Sequence, residues 1–364
     1  MTTLVVTNDF PPRVGGIETF VRYVCGFLDD RVVVLTRTER DESATRAYDA
    51  SLPFPVHRRP GPLLPTPAVA RLAGQLLRDY GAEQVVFGAA APLGLLASPL
   101  RTAGAHRILA LTHGHEVWWS RVPGARQALR RIGRDVDALG VISAYTSANI
   151  ERALAPSDRA KLVMLPPPVD LDVFSPAAAT PPGTVLAASR FVRQKGLDRL
   201  LDAWPGVTAA VPDSRLRLVG DGPQASTLRR RAAGMVGVEV CPPVSHDAMP
   251  ELLRAATVLV SPVRTRFGGL YAEGLGLIAC EAAACGLPVV VGSSGGAPET
   301  VIDRVTGSVV DVGDSAALAA ALVFWLSHPA DARAAGAAGR SYVADLVGTD
   351  HVRTRIRSAV EMPD

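Results

Sequence analysis

Short apolar runs of four to seven residues recur along the chain, and most are separated by stretches whose apolar positions repeat at helical spacing. In the first half the runs are Thr3–Thr7, Arg31–Thr36, Gln84–Gly88, Arg107–Thr112, Asp137–Ser143 and Lys161–Leu165. In the second half they are Thr184–Ser189, Arg215–Gly220, Val238–Cys241, Ala256–Val260 and Pro288–Gly292. Helical patterns fall between them at about Ile17–Leu28, Ala68–Tyr80, near Leu93, Gly124–Gly133, Tyr145–Leu154 and Leu197–Ala210, with another running through Arg231. Strands that alternate with helices predict parallel sheets covered by helices on both faces. The alanine-rich tail from about Ser315 to Glu361 reads as helix alone.

The passage P-P-P-V-D-L-D-V-F-S-P, followed by A-A-A-T-P-P-G, interrupts this pattern and is the best candidate boundary. It predicts a first domain over residues 1–168 and a second over 169–343, with a C-terminal helix at about 344–364 expected to pack back on the first. A length of 364 residues with 48% hydrophobic content suits two domains.

The stretch Ser261–Pro288 joins an apolar run, a glycine-rich loop and an Ala-rich helix ended by Gly286 and Pro288. Strand, glycine loop and helix form an anion-binding arrangement, because the first amides of a helix lie outside its ladder and its dipole is positive there. Two carboxylates, Glu273 and Glu281, frame the loop. Eight helical positions advance about 12 Å and turn roughly 80°, so both reach one ligand only if Glu273 precedes the helix. Glu281 is then placed to accept from two adjacent ribose hydroxyls. Glu273, with the backbone amides of Gly274, Leu275 and Gly276, is placed to hold a sugar and phosphate.

Composition narrows the rest. The net charge of +3 and the absence of an arginine-rich arm or an aromatic-interleaved basic stripe argue against nucleic acid as a partner. Four irregularly spaced cysteines fit neither a disulfide framework nor a zinc site, and read as core residues in a reducing compartment. The start shows no secretory leader pattern and no run approaches the roughly 20 residues of a membrane span, so a cytoplasmic protein is expected. Only two of the 38 basic residues are lysines, Lys161 and Lys195.

That scarcity singles out Lys195, which follows a strand in the loop R-F-V-R-Q-K-G with Arg190. Fixed cations there suit a diphosphate leaving group, whose charge grows in the transition state; an unrelated surface pair is the plainer alternative. Gly15-Gly16 follows the first strand and is either a turn or a phosphate or sugar contact. His113, at the end of its strand in H-G-H-E, is either structural or catalytic. Arg126, Arg130 and Arg134 repeat every four residues and share one helix face, which is either solvated or, with Trp118 and Trp119 just before it, a phosphate-binding or anionic-membrane surface. The pairs Asp135/Asp137 and Asp170/Asp172 read as structural, and V-G-D-G-P-Q is half a dinucleotide fingerprint without its third glycine.

Taken together, Gly15-Gly16-Ile17, H-G-H-E, S-R-x4-K-G at Ser189–Gly196, V-G-D-G-P, the E-x7-E pair and G-G-A-P-E at Gly295–Glu299 resemble the retaining family 4 glycosyltransferases of the GT-B fold. T-N-D-F-P-P-R-x-G-G-I, F-G-A-A-A-P-L, T-H-G-H-E-V and R-T-R-x-G-G look most like the actinobacterial phosphatidylinositol monomannoside α-(1→6)-mannosyltransferases. The resemblance implies two Rossmann-like doubly wound domains facing a cleft, GDP-mannose as donor and a phosphoinositide glycolipid as acceptor. It further implies peripheral contact with an anionic membrane at its inner face, and no metal requirement. Carried onto this chain, Gly16 would approach the donor phosphate, His113 the mannose hydroxyls, and Arg190 with Lys195 the diphosphate. Glu273 and the Gly274–Gly276 backbone would hold the sugar, Glu281 the ribose, and Val244 would lie among the base contacts.

Three departures from the family pattern keep other readings open. Pro168 stands where P-x-G-V-D has glycine, Cys241-Pro242-Pro243-Val244 lacks a glycine before the base contacts, and Gly269-Leu270-Tyr271-Ala272-Glu273 replaces G-x-D-V-E. The alternatives are a glycosyltransferase for another nucleotide sugar or acceptor, a nucleotide-sugar epimerase, and a nucleotide-sugar-binding protein without activity.

Overall fold

The computed structural model describes residues 1–28, 31–178 and 182–361. Ala179–Pro181, part of the proline-rich passage read above as a boundary, and residues 362–364, the end of the expected C-terminal helix, lie outside the described residues. The chain divides into two compact units. One comprises Met1–Pro168 with the segment from Val352 onward; the other is Val169–His351.

The first unit holds a parallel sheet of β1 (Thr2–Val6), β2 (Val32–Arg37), β3 (Val56–Arg59), β4 (Ala82–Phe87), β5 (Arg107–Leu111), β6 (Ala138–Val141) and β7 (Leu162–Met164). Their spatial order is β3-β2-β1-β4-β5-β6-β7, so the winding reverses between β1 and β4. Central strands are covered on both faces, which explains why they read as unbroken apolar runs rather than as alternation. Leu4 lies opposite Val33 on one side and Val85 on the other. Leu4, Val6, Val33 and Leu35 pack with Leu76 and Leu77 on one face, whereas Val5, Val34 and Val86 pack with Phe20 and Val24 on the other. Each fully buried aliphatic side chain of this kind contributes about 1.5–3 kcal/mol. Val352, Ile356 and Val360, on the helix Thr349–Val360, complete the second face. Arg107 Nε donates to Ala359 O at 3.1 Å and Arg357 Nε to Phe27 O at 2.7 Å, fixing that helix in place.

The second unit holds β8 (Thr184–Ala188), β9 (Arg215–Val219), β10 (Val238–Cys241), β11 (Val258–Ser261), β12 (Val289–Gly292) and β13 (Gly307–Val310), all parallel. The order β10-β9-β8-β11-β12-β13 reverses between β8 and β11. Leu200, Trp204 and Val207 of the helix Leu197–Ala210 pack with Leu318, Leu322 and Trp325 of the helix Ser315–Ser327. Trp204 also satisfies its indole N–H, which donates to Val236 O at 2.9 Å. The four cysteines are free and buried. Burial pushes the Cys25 thiol up to about 12 and the Cys285 thiol up to about 11, which keeps both protonated and inert.

Two strands and several helices, among them Glu42–Ala50, Glu116–Trp119 and Met249–Arg254, have no counterpart in the sequence pattern. β3, Val-His-Arg-Arg, is a basic strand at the sheet edge, and β13, Gly-Ser-Val-Val, is a short one at the other sheet's edge. Edge strands bury less, so neither needs an apolar run. The helix Glu42–Ala50 starts from Asp41, whose side chain accepts from Ala44 N–H at 2.9 Å. Its polar composition leaves only Thr45 buried, so helical apolar spacing is absent.

Candidate functional site

In open parallel sheets, ligands bind beyond the carboxyl ends of the strands where the winding reverses. In the second unit those strands are β8 and β11, and the loops they deliver carry Arg190 to Lys195 and residues 262–276.

The loop after β8 is anchored by Phe191, which is fully buried. Its N–H donates to Asp221 O at 2.7 Å, and Gln224 N–H donates to its carbonyl at 3.0 Å. Gly220 and Gly222 adopt φ of 147° and 150° beside this segment. A Cβ on Gly220 would collide with Ser189 O, and one on Gly222 would come within 2.7 Å of Phe191 O. V-G-D-G-P is therefore a cradle for the cation-bearing loop, which explains its glycines without a dinucleotide. Arg190 is exposed at the crest of that loop.

Lys195 ends a single 3-10 turn, Arg193–Lys195, and Gly196 after it is left-handed at φ 66°. Any side chain at Gly196 would strike Pro262 O, so the Lys195 loop and the loop after β11 meet backbone to backbone. Arg264 locks them together. Its guanidinium grips Asp198 with contacts of 2.9 and 3.0 Å, and its Nε donates to Arg193 O at 2.8 Å. Arg264 N–H donates to Gln194 O at 2.9 Å. This anchoring role is one that the R-T-R motif alone does not reveal.

Lys195 Nζ donates to Glu273 Oε2 at 2.6 Å, with side-chain exposures of 24% and 14%. Glu273 precedes the helix Leu277–Ala284, the position required if it and Glu281 are to reach one ligand. The G-G-A-P-E loop fixes Glu273 from behind: Gly296 N–H donates to Glu273 O at 2.9 Å, and a Cβ on Gly295 would collide with that same oxygen. Gly276, left-handed at φ 93°, caps the helix, and Leu275 is buried beneath the loop.

Glu281, one turn into that helix, is 6% exposed. Burial raises its carboxyl to about 8. His246 Nδ1 lies 3.9 Å from Glu281 Oε1, and the thiols of Cys280 and Cys285 are its other titratable neighbours. Val244, in the loop after β10, is 38% exposed. Pro242 and Pro243 before it have no N–H to offer a ligand.

In the first unit, β1 delivers the loop to Gly15 and the helix Gly16–Phe27. The two glycines differ in what they require. A Cβ on Gly15 would run into the Glu18 carboxylate, whereas nothing lies within 4 Å of a Cβ on Gly16. Packing inside the protein thus accounts for Gly15 but leaves the face of Gly16 open. Glu18 is 3% exposed and 2.5 Å from Arg13 Nε; burial raises its carboxyl pKa, opposed by its own backbone amide and Arg13.

His113 follows β5. Its Nε2 lies 2.5 Å from Gly88 O, and because a carbonyl only accepts, Nε2 carries the proton and Nδ1 is the acceptor. Burial lowers its pKa, against an opposing pull from Glu116, so the ring is neutral near pH 7. Glu116 is fully buried and takes His113 N–H on Oε2 at 2.9 Å, while Oε1 lies 3.2 Å from His115 Nε2. The ring also meets the edge of Phe20 at 5.8 Å. Glu116 escaped the sequence reading; its place three residues after His113, at the start of a short helix, is the signal that could have found it.

The helix Pro123–Asp135 turns Leu129, Ile132 and Gly133 inward and leaves Arg126, Arg130 and Arg134 exposed. Arg126 donates to Arg152 O at 2.7 Å, and Arg134 Nε donates to Asp135 Oδ1 at 2.8 Å. Trp118 and Val122, 38% and 40% exposed, lie just before this helix. Lys161, the second lysine, caps the same helix through the carbonyls of Gly133 and Arg134, a structural role. Asp137 and Asp170 likewise accept from backbone amides, Asp137 from Ile108 on β5 and Asp170 from Asp172 two residues on. Among the described residues no group of three His, Cys, Asp or Glu side chains could hold a metal ion, and no helix is long and apolar enough to cross a membrane.

Comparison with known proteins matches residues 182–328 to the family described as glycosyl transferases group 1, and residues 14–173 to Glycosyltransferase Family 4. A GDP-mannose-dependent monoacylated alpha-(1-6)-phosphatidylinositol monomannoside mannosyltransferase of Corynebacterium glutamicum is 42% identical, covering 94% of this chain and 93% of its own. A GDP-mannose-dependent alpha-(1-6)-phosphatidylinositol monomannoside mannosyltransferase of Mycolicibacterium smegmatis is 43% identical, covering 94% of both. Among solved structures, Anabaena HepE in complex with UDP aligns with a TM-score of 0.79 at 17% identity over 98% of both chains. Sucrose-phosphate synthase of Thermosynechococcus elongatus aligns with a TM-score of 0.77 at 23% identity over 97% of both chains.

Proposed function

The chain belongs to glycosyltransferase family 4, with the GT-B fold, and from that premise we propose that it transfers mannose from GDP-mannose to a phosphatidylinositol mannoside with retention of anomeric configuration. The observation that carries the chemistry is the Lys195–Glu273 pair at 2.6 Å, held where the second sheet reverses. A nucleotide sugar ends in the two functions that this pair complements: a diphosphate for the cation and a hydroxyl-rich ring for the carboxylate. Donor and acceptor are inferred from relatives that share more than two fifths of their residues with this chain.

In this reading Arg190 and Lys195 neutralise the diphosphate as the bond from its oxygen to C1 of mannose breaks. An acceptor hydroxyl forms the new bond to C1 on the same face and gives its proton to the departing phosphate oxygen. No metal ion is assigned to the step, since two cations already meet the growing charge. Glu273 and the Gly274–Gly276 backbone orient the sugar, and Glu281 receives the ribose hydroxyls, with Val244 beside the base. In the first unit, Gly16, whose face is open, is assigned to a phosphate contact. His113 is assigned to a sugar hydroxyl, with neutral Nδ1 as acceptor.

Radiolabelled GDP-mannose with extracted membrane lipids is expected to yield a labelled glycolipid at a rate unchanged by EDTA. Labelling from a UDP-sugar alone would overturn the donor assignment and favour the second reading, a transferase for another nucleotide sugar. That reading draws on the Pro242-Pro243 segment, which has no amide to offer a base edge.

Glu281 makes donor binding depend on pH. Its carboxyl is raised to about 8 in the free protein, so near pH 7 it is largely protonated, whereas a ribose diol binds best to the ionised form. GDP-mannose affinity is therefore expected to rise about five- to tenfold from pH 6.5 to 8.5 and then level off, as read by titration calorimetry. Glu281→Gln should flatten that profile. The folded state also holds this proton at pH values where the unfolded chain has lost it. Stability from this group is thus complete below the ordinary carboxylate range and is lost as pH rises through about 8.

Contact with the inner face of the cell membrane is assigned to Arg126, Arg130 and Arg134, with Trp118 at the rim. Replacing the three arginines by glutamine should reduce cosedimentation with anionic vesicles several-fold at low salt, and added salt should erase the difference. Binding indifferent to anionic lipid would remove this surface from the account.

A further inference from the structure

Between β11 and Glu273 the chain makes a small hairpin that the donor site does not use. Arg266 N–H donates to Tyr271 O at 2.8 Å, and Tyr271 N–H returns to Arg266 O at 3.2 Å. The turn between them places Phe267, Gly268 and Gly269 at φ of 52°, 62° and 91°. Glycine adopts such values freely, whereas an aromatic residue rarely does, and the turn sets Phe267 outward. Phe267 is 64% exposed and Tyr271 58%, with ring centroids 5.6 Å apart, edge to face. The Arg266 guanidinium lies 4.9 Å from the Phe267 centroid, over one face of that ring.

Neither packing nor charge explains this pair. The rings bury little, and neutral aromatics do nothing for a diphosphate. A pyranose, by contrast, presents an apolar face of C–H groups rimmed with hydroxyls, which suits an aromatic face with a phenol beside it; the Arg266 guanidinium covers one face of Phe267 and leaves the other for such a ring. Tyr271 is two residues from Glu273, the carboxylate assigned to the transferred sugar, so the hairpin stands on the sugar side of the site. We propose that Phe267 and Tyr271 form a stacking platform for a sugar ring of the acceptor, and so help to determine which acceptor is used. This rests on the transferase reading above and extends it to an acceptor subsite in the second unit.

The test uses two probes, GDP-mannose and a deacylated acceptor headgroup, mannosyl glycerophosphoinositol, which has no acyl chains to seek a membrane. Phe267→Ala and Tyr271→Ala are each expected to raise the KM for the headgroup about five- to tenfold, with the KM for GDP-mannose within about twofold of the parent. Tyr271→Trp, which keeps a stacking face, should restore most of the loss. An unchanged headgroup KM would overturn the proposal. So would an equal rise in the KM for GDP-mannose, which would mark a donor or folding effect. A defect seen only with acceptor in vesicles would point to membrane insertion and overturn it equally. If the parent protein shows no turnover with GDP-mannose, the transferase reading fails, and saturation-transfer NMR with the headgroup decides the platform separately. Transfer to the mannose protons that is lost in both alanine variants supports the platform; no transfer in the parent rejects it.

Discussion

Replacing Lys195 by alanine is expected to lower kcat for mannose transfer by about 10²- to 10³-fold, while GDP binds less than about tenfold more weakly. The asymmetry follows from when the charge develops. Bound GDP-mannose already carries its diphosphate charge, shared with Arg190, but the bridging oxygen gains charge only as the bond to C1 breaks. A cation fixed beside it therefore stabilises the transition state more than the ground state. The fixing is visible in the fold: Gly196 abuts Pro262, and Arg264 clamps the Lys195 turn through Asp198 and the Arg193 and Gln194 carbonyls. Rapid-quench turnover, with calorimetry for GDP, separates the two quantities. A kcat unchanged in the variant would make Lys195 a surface cation and remove it from the chemistry.

Glu273→Gln is expected to reduce kcat/KM by about 10²-fold, because an amide keeps the shape of the side chain but loses the charged acceptor that fixes the sugar hydroxyls. The loss should not simply multiply with that of Lys195→Ala. In the free protein the two side chains hold each other at 2.6 Å, and donor binding redistributes them, the ammonium to phosphate and the carboxylate to sugar. Removing either one leaves the other without its partner. Each single loss is partly offset by release of the pairing in the free protein, so the double variant is expected to lose more than the product of the single losses, as a four-protein cycle of kcat/KM would read. Full multiplicativity would mean that the pair acts as two independent groups.

The fold was legible wherever a strand is central. Runs such as Leu4-Val5-Val6 and Val289-Val290-Val291 are buried on both faces and declare themselves without alternation. β3 was not legible, because Val-His-Arg-Arg lies at an edge and satisfies its position through pairing with β2 rather than through burial. The position of Glu273 before the helix followed from helix geometry, since Gly274 and Gly276 mark the loop and the helix begins at Leu277. What could not be read were contacts between distant segments. Glu273 meets Lys195, 78 positions away, and Arg264 meets Asp198, 66 positions away. No local periodicity encodes such pairs. The same applies to V-G-D-G-P, whose glycines look like a ligand loop but are explained by close passage along Ser189 and Phe191. Tyr271, by contrast, stood out in the sequence as a departure, and its exposure is what gives that departure a physical reading.

The most direct measurement of the central claim is NMR of the product formed from GDP-mannose labelled with carbon-13 at C1 and unlabelled phosphatidylinositol monomannoside. One new labelled mannose on the lipid is expected, attached through an α linkage that retains the donor's configuration. A β-linked product, or label that stays in GDP-mannose while a UDP-sugar is consumed, would contradict that claim.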